Sequence, residues 1–167
     1  RVSHAERRTD TGRQAVYAAE LAAFDGTSYE ALTPFPELAA LAARVTAAAW
    51  WPHGSIAVVA ARSDAESSST RRRGEASPVI RLAAGQFTPL TVVHELAHVL
   101  AGVPAGHGPL YRRAYLDLVA FLWGSEAAGW LREQFDVMRL AIGTRTWAPP
   151  PSGCRSTGSV GEVPIAL

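Results

Sequence analysis

The run HELAHVLAGVPAGHGPLY, residues 94–111, contains the side chains best suited to chemistry in this chain. It places three of the five histidines within fourteen positions, with a glutamate beside the first. His94 and His98 are four residues apart, so on an α-helix both imidazoles leave the same face and can bind one cation. Glu95 lies about 100° around that helix, where it can reach a water molecule held by the cation and act as a general base.

His107 is the obvious third ligand. A catalytic zinc site needs three protein ligands and an open fourth position, where a bound water is polarised to a pKa of about 7. Eight residues separate His98 from His107, and the glycines and proline among them favour a sharp reversal of the chain. The sequence therefore predicts that Zn²⁺ is bound by His94, His98 and His107, with Glu95 as the catalytic residue.

The same motif has a simpler interpretation, a helix that merely carries histidines. Five-residue HExxH matches occur in proteins that bind no metal. Here the motif lies in an apolar, helix-like stretch that can bury the opposite face, and a third histidine follows at loop distance. These two features favour the metal site.

Composition sets the broad class. A chain of 167 residues with 48% hydrophobic content can form one domain with its own core. A net charge of +1 predicts no general attraction to nucleic acid or to an anionic membrane. Cys154 is the only cysteine, which excludes an internal disulfide and a thiolate zinc cluster within one chain. No apolar run approaches the roughly 18–20 residues that span a bilayer, and we expect a cytoplasmic protein.

Periodicity and turn residues predict the elements that must position the motif. Helices are expected over residues 13–24, 36–51, 89–103, 110–124 and 125–142. Two β-branched runs, residues 55–62 and 77–85, predict strands paired antiparallel across a polar, mobile loop. We therefore expect one α+β domain over residues 1–143, with a small antiparallel sheet flanked by helices. Residues 144–167 are rich in Pro, Gly and Ser, which predicts an extended or disordered tail.

A family resemblance adds to this interpretation. HELAH, eight further residues and then HGPLY resemble the SprT-like zincin metallopeptidases, in which a loop after the HExxH helix leads to an HGxxF-type segment with the third histidine. VYAAE, HELAHVL and HGPLYRRAYLDL also look like an actinobacterial family described only as metallohydrolases, so the resemblance covers residues 13–122. It implies a zincin-like fold, with His94, His98 and His107 as zinc ligands and Glu95 as the catalytic residue.

The chain also departs from related patterns. Tyr111 stands where many SprT-like proteins have Phe, an aromatic exchange that preserves packing beside the site and adds a hydroxyl that can point toward it. The cysteine-rich zinc ribbon of SprT-like proteins is absent from the sequence, so a role in DNA-linked protein repair does not follow. The metzincin spacing, with a third histidine closer to the motif, is also absent.

The predicted reaction is zinc-dependent hydrolysis of a peptide bond in a peptide or protein substrate, with Glu95 moving the proton. Two alternatives stay open. The chain can be a binding or regulatory domain whose zinc has no catalytic role. It can also be an ImmA-like peptidase that cleaves a repressor, in which Asp117 or Glu126 replaces His107 as the third ligand.

Substrate contacts are predicted less directly. Residues 78–84 precede the motif and Pro78 is typical of an edge strand, along which an extended peptide could lie. Arg112, Arg113 or a tyrosine could stabilise an oxyanion. Asp117 could orient a ligand histidine, although a surface salt bridge is the simpler expectation.

Other conspicuous residues favour structural interpretations. His53 lies at a turn between a helix and a strand, and we expect it to be structural or solvent-facing. The three arginines at residues 71–73 indicate a solvated loop tip rather than a phosphate site. The remaining candidates are expected to pack against or cap the core: Tyr17, Glu20, Trp50 and Trp51.

Overall fold

A computed structural model describes residues 12–65, 67–71 and 77–151 of the chain. It is an α+β arrangement of four helices and a small mixed sheet within these residues. The helices and strands are α1 (Arg13–Phe24), α2 (Phe35–Thr46), β1 (Ala57–Ala60), β2 (Ser69–Arg71), β3 (Val79–Leu82), α3 (Pro89–Ala101) and α4 (Pro109–Val137).

Helix α3 carries the HELAH motif through the centre of the molecule. Its start follows from the sequence: Thr88 caps the helix by accepting a 3.1 Å hydrogen bond from the Thr91 N–H, and Pro89 occupies the first turn. Nine of its thirteen residues are buried, because α2, α4, β2 and β3 all pack against it. The motif is therefore held on a helix that has little freedom to move.

Helix α4 packs against α3, and α1 packs against α4. The bounds of α1 agree with the prediction, and its buried residues Val16, Ala19 and Phe24 follow helical spacing. The two helices predicted over residues 110–142 form a single element, broken at Gly124, whose φ of 92° and ψ of 175° suit glycine alone. The prediction of a break was correct, but the second segment ends at Val137.

The sheet differs from the predicted antiparallel pair. β1 and β3 pair in parallel, from Ala57 opposite Val79 to Ala60 opposite Leu82. The expectation of antiparallel pairing was wrong because eighteen residues separate the two strands, enough for the crossover that parallel pairing requires. β2, within the stretch predicted as a mobile loop, lies antiparallel on the other side of β3. Its serine and threonine residues give no hydrophobic strand signal.

The strand order β1-β3-β2 also corrects the predicted substrate strand. Residues 78–84 contain β3, which is the central strand of the described sheet rather than an edge. β2 is the edge strand that contacts α3.

The other boundaries differ where local contacts compete with helical periodicity. α2 ends at Thr46 rather than at residue 51, because the following alanines form tight turns and the Trp51 indole N–H donates to the Gly54 carbonyl at 2.9 Å. Within the described residues, no helix combines the length and the apolarity that a membrane crossing needs.

The first part of the predicted tail lies against the domain. Residues 143–151 lack regular secondary structure, as expected, but Trp147 is buried. Gly143 donates its N–H to the Pro109 carbonyl at 2.8 Å, and a Cβ at Gly143 would approach the Pro109 backbone to 2.9 Å. The rest of the predicted tail, residues 152–167, is outside the described residues.

Candidate metal centre

Three histidine side chains converge on one side of α3. His94 and His98 come from successive turns of α3, and His107 comes from the loop that precedes α4. One nitrogen from each ring can be chosen so that all three lie within 4.8 Å of one another. The Nε2 atoms of His94 and His107 are 3.2 Å apart. The three predicted ligands are thus brought together closely enough to bind one metal ion.

The loop between α3 and α4 turns back because two glycines allow it. Gly102 has a φ of 85° and Gly106 a φ of 53°, both in the region that side-chain-bearing residues rarely adopt. A single 3-10 turn separates them. The reversal that sequence composition predicted is therefore made at these two positions and returns His107 to the helix.

Helix α1 supplies a carboxylate that the sequence interpretation assigned to packing. Glu20 Oε2 lies 2.9 Å from His94 Nδ1. Because an ionised carboxylate can only accept hydrogen bonds, His94 donates its Nδ1–H and directs the lone pair of Nε2 toward the other histidines. A carboxylate that orients a histidine in this way is a common partner of metal-binding imidazoles.

Tyr17 also belongs to the site. Its ring stacks on His94, with centroids 5.2 Å apart and planes inclined by 28°, and meets the edge of His107 at 5.5 Å. The side chain is 41% exposed, so Tyr17 is not packed in the core, in contrast to the prediction. Arg13, Tyr17 and Glu20 are spaced four and three residues apart and form one face of α1. That spacing is the only sequence signal for this face.

The backbone of His107 is held by two neighbours. The Arg112 guanidinium donates to the His107 carbonyl at 3.1 Å and to the Ala141 carbonyl at 2.7 Å. Gly12 approaches so closely that a Cβ there would lie 2.9 Å from the His107 carbonyl oxygen. Arg112 is buried and serves this backbone, which differs from its predicted role as an oxyanion donor.

Two tyrosines of α4 close the buried side of the site. Tyr111 is fully buried, its ring lies 4.4 Å from that of His98, and its hydroxyl donates to the His94 carbonyl at 3.4 Å. The predicted packing role is confirmed. Burial, reinforced by the charge of Glu20, raises the pKa of the Tyr115 hydroxyl well above its ordinary value. Tyr115 is therefore a neutral neighbour of His94.

Glu95 is held by the edge strand. Its carboxylate accepts a 2.6 Å hydrogen bond from the Thr70 hydroxyl, which also lies 3.1 Å from the Glu95 carbonyl oxygen. Burial raises the pKa of the Glu95 carboxyl, while the electrostatic interaction with His94 and the Thr70 hydrogen bond oppose that rise. Thr70 gave no signal in the sequence, because it lies in a run of serines and threonines.

These groups line an open cavity of about 350 Å³. Its walls come from the face of α1, the start of β2 and the loop before α4, and Glu95 lies beside all three histidines in it. A second cavity of about 310 Å³ adjoins it and is lined in part by Glu20, Glu30 and Gln86. The candidate metal centre is thus accessible through a cleft that continues on one side.

Other sequence candidates lie elsewhere. Both Asp117 oxygens accept hydrogen bonds from Arg145, at 2.8 and 2.7 Å, and one also accepts from the Trp147 indole at 3.0 Å. The Asp117 carboxylate therefore neither orients a ligand histidine nor belongs to the histidine cluster. Arg113 donates to the Gly143 carbonyl at 3.0 Å. Glu126 is exposed on α4 and is not part of the cluster either.

The remaining candidates are structural or lie outside the described residues. His53 is exposed, contacts the edge of the Trp51 ring and lies 3.4 Å from the Leu100 carbonyl oxygen, as expected for a structural role. Arg71 belongs to β2, and residues 72–73 of the arginine run are outside the described residues.

No protein-family model, curated protein or solved structure matches the chain. The SprT-like resemblance therefore stays a prediction, and the function has to be inferred from the chemistry of the site.

Proposed function

We propose that this protein is a zinc-dependent metallohydrolase of the zincin type, a metallopeptidase related to the SprT-like enzymes. One observation carries the proposal: three imidazoles converge to within 4.8 Å in an open cavity, with a buried carboxylate beside them. A catalytic metal site requires this combination of three protein ligands and access for a water and a substrate.

The donor set suits zinc. Tetrahedral coordination with Zn–N distances of about 2.0–2.1 Å separates two ligand nitrogens by about 3.3 Å. The Nε2 atoms of His94 and His107 are 3.2 Å apart, close to that separation. Glu20 supports the metal-binding tautomer of His94. Neutral imidazole ligands favour zinc and its transition-metal neighbours over calcium or magnesium, which prefer oxygen.

Glu95 and Thr70 have separate roles in the proposed reaction. A bound Zn²⁺ would supply Lewis acidity, polarising a carbonyl and lowering the pKa of a water. Glu95 accepts the proton of the attacking water and passes it to the leaving nitrogen. The Thr70 hydroxyl holds the Glu95 carboxylate in position for both transfers.

The substrate lies along β2 in this proposal. β2 pairs with β3 on one side and is an edge strand of the described sheet. Residues 67–70 line the cavity beside Glu95. An extended peptide can add to such an edge through main-chain hydrogen bonds, which brings a backbone carbonyl toward the metal. A peptide or protein is therefore the substrate class that this arrangement favours.

Metal analysis combined with peptide cleavage tests the proposal. The purified chain is loaded with Zn²⁺, and a mixture of fluorogenic peptides is assayed with wild type, Glu95→Gln and Glu37→Gln. Glu37 is an exposed carboxylate on α2 and provides the matched control. We expect one zinc per chain in all three proteins. Cleavage should fall by about 10²–10⁴-fold in Glu95→Gln alone, the usual contribution of a general base.

Two results would contradict the proposal. Absence of bound zinc from the wild type would exclude the metal site. Stoichiometric zinc without cleavage by the wild type would favour the alternative of a binding or regulatory domain whose metal has no catalytic role.

A further inference from the structure

Arg13 brings a cation to the rim of the metal cavity. Its guanidinium carbon lies 5.3 Å from the centre of the Tyr17 ring, and that ring stacks on His94 at 5.2 Å. Two successive ring contacts thus connect the cation to a metal ligand. Arg13 lines both the metal cavity and the adjoining one.

The guanidinium of Arg13 has donors to offer a ligand. Within residues 12–65, 67–71 and 77–151 it makes no hydrogen bond or ion pair; it contacts the Tyr17 ring and interacts electrostatically with Glu95. Arg113 and Arg145 differ, because they donate to a backbone carbonyl and to a carboxylate. Arg13 also lies on the rim rather than in the protein interior, so a ligand can reach it.

The two cavities that Arg13 lines differ in charge. Among the described side chains that line the metal cavity, Arg13 is the permanent cation and Glu95 the carboxylate. The adjoining cavity is more acidic, since Glu20 and Glu30 line it in addition to Arg13 and Glu95. An anionic ligand of Arg13 therefore meets fewer carboxylates on the metal side than on the Glu30 side.

We propose that Arg13 forms a carboxylate subsite, which selects substrates with a carboxylate one or two residues from the bond that is cleaved. This inference rests on the proposed function, because the metal defines where that bond lies. The two ring contacts place the Arg13 guanidinium carbon at most about 10.5 Å from the centre of the His94 ring. An extended chain advances about 3.3–3.6 Å per residue, so a carboxylate one or two residues from the bond lies within that limit. Arginine suits this role because its planar fork of donors binds carboxylates in a bidentate manner.

Tyr17 makes the subsite more rigid. A cation over an aromatic face is attracted to it, and the stacked ring limits the positions that the long arginine side chain can adopt. Less conformational entropy is then lost when the guanidinium binds a ligand. Arg13 is thus a specificity residue that is positioned by the same ring that packs on His94.

Hydroxamate probes test the subsite without requiring turnover. The monohydroxamates of succinic and glutaric acid combine a zinc-binding group with a carboxylate, and their primary amides are neutral controls of the same shape. Binding to the zinc-loaded chain is measured by calorimetry for wild type, Arg13→Met, Arg13→Lys and Arg44→Met. Arg44 is an exposed arginine on α2 that does not line the cleft, so it controls for loss of charge alone.

One of the two monohydroxamates will fit the distance between the metal and Arg13 better than the other. We expect that compound to bind the wild type about tenfold more tightly than its own amide, as one charge-assisted bidentate contact allows. Arg13→Met should abolish this preference, Arg13→Lys should retain part of it, and Arg44→Met should retain all of it. Hydroxamates extended by alanine with a free C terminus, or by aspartate with an amidated one, then distinguish a chain terminus from an acidic side chain.

Equal affinity of acid and amide for the wild type would overturn the subsite and leave the proposed function intact. A preference that persists in Arg13→Met would do the same. Failure of every hydroxamate to bind the zinc-loaded wild type would instead contradict the metal site, and the subsite with it.

Discussion

The Nε2 atoms of His94 and His107 lie 3.2 Å apart, and the chain holds the two residues in different ways. His94 is held through its side chain: Glu20 accepts from Nδ1 at 2.9 Å and Tyr17 stacks on the ring. His107 is held through its backbone: Arg112 donates to its carbonyl at 3.1 Å, and Gly12 packs against the same oxygen.

The difference follows from the elements that carry the two ligands. α3 already fixes the backbone of His94 by its own hydrogen bonds and by burial, so only the direction of the ring remains to be set. The loop around His107 includes two glycines with positive φ and has no comparable framework. Its backbone therefore needs anchors from other parts of the chain. Glu20 therefore orients the ring of His94, whereas Arg112 and Gly12 support the main chain of His107.

Substitution of Glu20, which supports the side chain of His94, is expected to have the largest effect on zinc affinity. Loss of an outer partner of a metal-binding histidine lowers metal affinity by about 10–100-fold. We expect Glu20→Gln, which keeps an acceptor but loses the charge, near the lower limit, and Glu20→Ala near the upper limit. Zinc affinity is measured by competition with a chromogenic chelator. Glu37→Gln should match the wild type, and unchanged affinity in Glu20→Ala would show that the carboxylate does not support the ligand.

Gly12 tests the support of the His107 backbone. A Cβ placed 2.9 Å from the His107 carbonyl oxygen forces one of the two segments to move. We expect Gly12→Ala to lower the free energy of unfolding by about 1–3 kcal/mol, as overpacking commonly does. Zinc affinity should fall by a factor approaching ten if the His107 segment is the one that moves. Chemical denaturation and chelator competition measure the two effects.

Gly129 is the matched control for that substitution. It lies in the second segment of α4, and a methyl group added there would have no heavy atom within 4 Å outside its own helical turn. Gly129→Ala should therefore raise the free energy of unfolding by about 0.5–1 kcal/mol and leave zinc affinity unchanged. Stabilisation by Gly12→Ala as well would mean that the close approach to His107 is not maintained.

Substitution of Asp117 should have the smallest effect on zinc affinity. Asp117→Asn weakens the hydrogen bonds to Arg145 and Trp147, and we expect a loss of about 1–2 kcal/mol of stability because Arg145 is partly exposed. Zinc affinity should stay within about twofold of wild type, since these groups lie outside the histidine cluster. Asp136→Asn, an exposed carboxylate on α4, is the control. A large loss of zinc in Asp117→Asn would revive the ImmA-like ligand set.

The fold was predictable where one strong local pattern decided it. The bounds of α1, the capped start of α3 and the break at Gly124 all follow from periodicity, capping residues or glycine. The pairing of the strands was not predictable, because strand direction depends on how the eighteen-residue connection between β1 and β3 crosses the molecule. β2 had no hydrophobic alternation to reveal it, since its stability comes from pairing with β3.

The same distinction between local pattern and long-range contact applies to the candidate site. The three histidines and Glu95 lie within one short run, so helical spacing and a glycine-containing loop were enough to predict that they meet. Tyr17 and Glu20 lie more than seventy residues before His94 in the chain, and Thr70 about twenty-five before Glu95. No local pattern relates positions so far apart.

The sequence by itself determined which candidate metal-binding side chains lie close together, that a cluster of several thiolates is excluded within one chain, and that His94 and His98 share a helix face. Only the tertiary structure decided how the site is supported, because α1 packs on α4 and β2 packs on α3, which brings Glu20 to His94, Thr70 to Glu95 and Gly12 to His107. Short-range geometry is encoded by residue spacing along a helix. Long-range contact depends on which packed arrangement buries the most apolar surface while satisfying the buried polar groups.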